Sequence, residues 1–95
     1  MYDAERIQHM KAGVGGMFSR SAAMYDQVGP RFFTSLGQRL VELANIQAGA
    51  AVLDVAAGRG AVLFPAAERI GAQGQVIGID LAEAMVSETE AEIQR

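Results

Sequence analysis

The chain has no cysteine and no tryptophan, and among its 95 residues only two prolines and one histidine. Without cysteine there is no disulfide framework and no thiolate metal centre. That agrees with a reducing compartment, and the expected location is cytoplasmic. Long apolar runs are missing too. No stretch approaches the roughly 18 apolar residues of a membrane span. The opening Met1-Tyr2-Asp3-Ala4-Glu5-Arg6 carries an acid in its first turn, and no long apolar run follows, so it does not read as a signal peptide. Positive charge is scarce. Eight Lys and Arg face eleven Asp and Glu, a net charge of -3 and a pI near 5.0. No basic patch stands out, so neither nucleic acid nor an anionic membrane is an expected partner. Internal repeats and low-complexity tracts are also lacking.

What is present is an ordinary globular composition, 51% hydrophobic and 20% charged. The length fits one small domain or part of one, and such a chain should be marginally stable alone. Asp3 to Ala12 reads as a short helix broken by Gly13, Gly15 and Gly16. Ala22 to Gln27 suggests a second, ended by Gly29-Pro30, with Pro30 placed to open a third. There Phe33, Leu36, Leu40 and Leu43 recur at helical spacing and read as core. His9 lies on a short polar helix, where it reads as solvated, not as a general base.

Beyond Gly49 the pattern changes. Ala51 to Val55 is a short apolar run, the mark of a buried parallel strand. Ala56 to Gly60 is a tight turn, and Ala61 to Ile70 is helical provided that Pro65 lies near its first turn. Gln75 to Asp80 is a second strand. Leu81 to Arg95 is a last helix with Met85, Val86, Thr89 and Ile93 inward. Strands alternating with helices imply a parallel α/β sheet. The expected division is an N-terminal helical segment, 1–47, and the first half of a Rossmann-like cofactor-binding domain, 48–95. Two strands are few for an open sheet, so further chain or a second copy is expected to complete it.

The chemistry is concentrated in Val52-Leu53-Asp54-Val55-Ala56-Ala57-Gly58-Arg59-Gly60, with Asp80 twenty residues after Gly60. Small residues after a strand let backbone approach a ligand, and N–H groups at the turn and helix start point into the site. An acid ending the second strand can accept from ribose hydroxyls. A dinucleotide fingerprint would need glycine at position 63, which is Leu63. Asp54 would also lie close to a pyrophosphate's charge. A carboxylate there favours a cationic ligand, which weakens the competing reading of a nicotinamide-dependent oxidoreductase.

These segments resemble the class I S-adenosylmethionine-dependent methyltransferases, whose first motif usually runs apolar-apolar-Asp/Glu-x-Gly-x-Gly-x-Gly. Val76-Ile77-Gly78-Ile79-Asp80-Leu81-Ala82-Glu83-Ala84-Met85 is similar to the family's second-strand segment, and Ala23-Met24-Tyr25-Asp26 to a pair found in the ubiquinone and menaquinone biosynthesis branch. The resemblance spans Ala23 to Met85 and implies S-adenosylmethionine as cofactor and a small-molecule substrate. It implies that Asp54 holds the methionine amino group, that Ala56, Ala57, Gly58 and Gly60 offer backbone around the methionine, and that Asp80 binds the ribose hydroxyls. Leu81 and Met85 would pack on adenine, and Tyr25 would cover the cofactor. Ala56 replaces the family's first glycine, which requires a negative φ there. The adenine-binding acid, the substrate loops and the remaining strands of the family have no counterpart in these residues. The expectation is therefore the front part of a methyltransferase, inactive alone and without an assignable general base. The competing expectation is a non-catalytic, truncated module that self-associates through exposed sheet edges. No metal site is expected: Glu83, Glu88, Glu90 and Glu92 read as a solvated helix face.

Overall fold

The structure, a computed structural model, describes residues 3–24 and 32–95. Tyr25, Asp26 and Pro30, with the roles expected of them, lie outside the described residues.

Helix α1 spans Ala4–Ser21 and is capped by Asp3, whose side chain accepts from the Glu5 N–H at 2.9 Å. It does not break at Gly13, Gly15 and Gly16 as expected, but runs through all three. The cost of a helical glycine, about 1 kcal/mol relative to alanine, is offset by packing. Gly15 is buried against Leu81, whose Cγ lies 3.4 Å from where a Cβ would stand. One turn later Phe18 packs on a buried cluster of Ala22, Ala82 and Met85. A 3₁₀ turn, Ala22–Met24, follows α1 directly.

Helix α2 spans Phe32–Ala44. The helical period is as expected, but the core assignment of its stripe is overturned. Phe33, Leu36, Leu40 and Leu43 are 39% to 68% exposed, and Gly37 and Val41 are the buried positions. The helix meets its neighbours on the flank of the stripe.

Strands β1 (Ala51–Val55) and β2 (Gln75–Ile79) pair in parallel, Val52 opposite Val76 and Asp54 opposite Gly78. They are joined by α3, Leu63–Ile70, which buries Leu63, Ala66 and Ile70 and packs on both strands. Pro65 is the third residue of α3, inside the first turn, where its missing N–H costs little. Helix α4 spans Glu83–Ile93, with Met85 and Thr89 buried. Val86 and Ile93, expected inward, are 37% and 60% exposed.

Successive strand residues point to opposite faces, and among the described residues only one face of this sheet is packed against a helix. On the other, Leu53, Val55, Ile77 and Ile79 are 48% to 65% exposed. The expected fully buried strands are buried on one side only. Two parallel strands with α3 against one face, and the other helices packed around them, make an incomplete Rossmann-like α/β fold, ordered as the sequence predicts.

Candidate cofactor-binding site

Both strands end on the same side of the sheet, and the turn after β1 lies against the end of β2. Ala57 N–H donates to the Ile79 carbonyl at 2.9 Å, and Gly60 N–H closes the turn on Ala57 O at 3.0 Å. Three of its residues have left-handed backbone: Ala56 at φ 61°, Gly58 at 56° and Gly60 at 90°. Glycine adopts this region freely. Alanine does not, so the negative φ expected of Ala56 is corrected: the strained backbone persists with a methyl group where the resembling family has glycine. A Cβ at Gly60 would lie 2.5 Å from the Phe64 ring, so this position excludes a side chain twice over.

Asp80 faces the turn. Its Oδ2 accepts from Gly58 N–H at 2.8 Å, and its Oδ1 from Ala82 N–H at 2.8 Å, the turn that leads into α4. An ionised carboxylate has about four acceptor sites, so these bonds leave capacity for hydroxyl donors. Asp54, at the end of β1, is only partly supported, by the Leu63 backbone N–H. Its Oδ2 is buried with no hydrogen-bond partner. Burial pushes its carboxyl above the usual carboxylate range; the Leu63 backbone N–H opposes this and the Asp80 charge adds to it. A buried carboxylate oxygen with no donor is costly, and a cation or N–H donor reaching it relieves that cost.

A cleft of about 560 Å³ is lined by Asp54 and by the turn residues Ala56 to Gly60. Its facing wall is α2, through Phe33, Leu36 and Leu40. That is why the α2 stripe is exposed: it borders a cleft, and its period alone could not distinguish this from a core. A second cleft of about 600 Å³ lies behind the turn, between α3, β2 and α4, and contains Asp80. Ala57 and Gly58 border both. Asp54 and Asp80 are thus brought to one turn, on its two sides.

Leu81 and Met85 are not brought to the clefts. Leu81 is 59% exposed and leans on Gly15. Met85, 1% exposed, fills the core with Ala22 and Ala82 and presents no surface for an adenine ring. Arg59, which the sequence leaves pointing to substrate or to water, borders the first cleft but commits its guanidinium to the protein. Its side chain is 12% exposed and donates to Ala22 O at 2.7 Å and to Glu92 at 3.0 Å. Thr89 donates its hydroxyl to Gly58 O at 2.9 Å. A hydroxyl within an apolar helical stripe, and a long cation inside a turn of small residues, were the signals for these two.

A family described as a methyltransferase domain matches residues 46–95, from the lead-in to β1 through α4. The chain belongs to this methyltransferase family. Members of the class I family use S-adenosylmethionine, and an acid with one unpartnered buried oxygen beside a small-residue turn fits that sulfonium and ammonium ligand. The chain is similar to an aklanonic acid methyltransferase of Streptomyces sp. (strain C5), 48% identical over 86% of this chain and 37% of that protein. It is also similar to a nocamycin O-methyltransferase of Saccharothrix syringae, 53% identical over 80% of this chain and 27% of that protein. A 23S rRNA uracil methyltransferase of Acinetobacter baumannii (strain AB0057) is 36% identical over 73% of this chain and 15% of its own length. The chain thus spans about a third or less of the relatives it matches. No solved structure matches it. Among the described residues, no helix is long and apolar enough to cross a membrane.

Proposed function

We propose that this methyltransferase-family chain is the S-adenosylmethionine-binding front part of an enzyme that methylates a small molecule. The observation that carries the reading is that Asp54, one of whose carboxylate oxygens is buried without a partner, lines a cleft together with the turn residues Ala56 to Gly60. In this reading Asp54 takes the methionine ammonium, the turn offers backbone around the methionine, and Asp80 takes the ribose hydroxyls with its remaining acceptor capacity. The core position of Met85, and the place of Leu81 against Gly15 outside both clefts, leave the apolar contact to adenine to residues other than these two. The bound cofactor supplies an activated methyl group. The chain's own part is to hold it in line for an acceptor, an orientation effect. The division into a helical segment, 1–47, and a cofactor-binding half, 48–95, belongs to the same proposal. A small-molecule acceptor is favoured because the two relatives of higher identity are named for aklanonic acid and nocamycin, and because the chain is acidic.

A second reading, a non-catalytic module that self-associates, is favoured by the bare sheet face at Leu53, Val55, Ile77 and Ile79.

Calorimetric titration with S-adenosylmethionine, with NAD as control, tests the first reading. We expect saturable binding of S-adenosylmethionine only, weakened about tenfold or more in Asp54→Asn by loss of a charge-assisted contact. Binding of NAD instead, or binding unchanged in Asp54→Asn, overturns it.

A further inference from the structure

The turn is gripped by α4. We propose that Thr89, Arg59 and Glu92 form a clamp that sets the shape of the cofactor-binding turn, making Thr89 and Arg59 positioning residues for the ligand that the turn receives; Arg59 and Glu92 also border the first cleft. The proposal rests on the cofactor reading above.

Gly58 is the residue held most tightly. Both of its backbone polar groups are committed: its N–H to Asp80 at 2.8 Å and its carbonyl to the Thr89 hydroxyl at 2.9 Å. One partner stands at the end of β2 and the other in the middle of α4. A left-handed residue tied at both ends cannot rotate its peptide without breaking a bond. Arg59, the next residue, is tied as well, to Ala22 O on one side and Glu92 on the other. Thr89 and Glu92 are three residues apart and share a face of α4, so the turn engages that helix at two points about one turn apart.

A scaffold turn has no need of this. An arginine side chain only 12% exposed, with its Nε buried and unpartnered, is an expensive way to close a loop. The strain at Ala56 supplies the reason. A non-glycine residue at positive φ persists only where its surroundings over-determine it. The clamp provides that constraint and holds the backbone open toward the cleft. If the clamp is released, the turn relaxes and its ligand-facing groups lose their alignment.

The test uses Thr89→Val, which keeps shape and removes the donor, and Thr89→Ser, which restores the donor. Amide hydrogen exchange of the unliganded chain is read at Gly58 and across β1 and β2, and S-adenosylmethionine affinity is measured by calorimetry. We expect Thr89→Val to speed Gly58 exchange about tenfold, with strand amides unchanged, and to weaken S-adenosylmethionine binding about tenfold, the scale of one buried hydrogen bond. Thr89→Ser should return both to within about twofold. Unchanged Gly58 exchange, or exchange accelerated equally throughout the strands, overturns the clamp. Faster exchange with unchanged affinity overturns its positioning role. If the wild-type chain does not bind S-adenosylmethionine, the cofactor reading fails and with it the positioning role, while the exchange result still decides the clamp. Should Thr89→Val not fold, Glu92→Gln takes its place, because it weakens the Arg59 anchor at a residue outside the core.

Discussion

At the scale of single residues the site is a set of unfavourable choices held in place. Ala56 at φ 61° is one. Left-handed backbone costs alanine about 1–2 kcal/mol, of which the extra freedom of an unfolded glycine returns up to about 1 kcal/mol. Urea unfolding of Ala56→Gly should therefore show a net gain of up to about 1 kcal/mol. Gly60→Ala should go the other way, by about 2 kcal/mol or more, because the Phe64 ring opposes the new methyl as well as the backbone. Asp54 is another unfavourable choice. Its carboxyl is raised in the folded chain, so the protonated form is the one the fold prefers. Its contribution to stability is full below the unfolded carboxylate pKa and is lost as pH rises through the raised folded value. Thermal melts across that window should flatten in Asp54→Asn. The presence of Asp54 and Asp80 near a small-residue turn was legible in the sequence. The sign of φ at Ala56 was not, because nothing in an alanine marks a position that only the surrounding packing imposes.

At the scale of elements, glycine within helices separates what local propensity says from what contact requires. Gly13 meets nothing within 4 Å, so Gly13→Ala should stabilise α1 by up to about 1 kcal/mol in thermal or urea unfolding. Gly37 has the same intrinsic preference, but a Cβ there would run into the Ala61 carbonyl, a backbone atom that cannot step aside. Gly37→Ala should destabilise the chain in the same assay, and by lifting α2 from the turn should weaken S-adenosylmethionine binding. Glycines that read as helix breakers at 13, 15 and 16 are instead interior to an 18-residue helix. Gly15 explains why: its missing side chain admits Leu81, a contact 66 residues away in sequence that no local window contains. Strands, crossover helix and the place of Pro65 were all legible, because period and turn residues are local properties.

At the scale of the whole molecule, the sheet has, among the described residues, one covered and one bare face, and the cleft wall on α2 is apolar and open. Purified alone, the chain should show no methyl transfer from labelled S-adenosylmethionine to any acceptor; turnover by this chain would overturn its reading as a front part. What the sequence determined by itself was whatever depends on neighbours along the chain: the α/β order, the turn chemistry, the two acids at the strand ends and the family they belong to. Tertiary structure alone decided which faces these elements present. The α2 stripe borders a cleft because the flank with Gly37 makes the contact. Met85 is core because α1 and the 3₁₀ turn close over it. Arg59 and Thr89 serve the turn because α4 reaches it. Period tells which residues share a face; only the partner that reaches that face, or leaves it open, tells what the face is for.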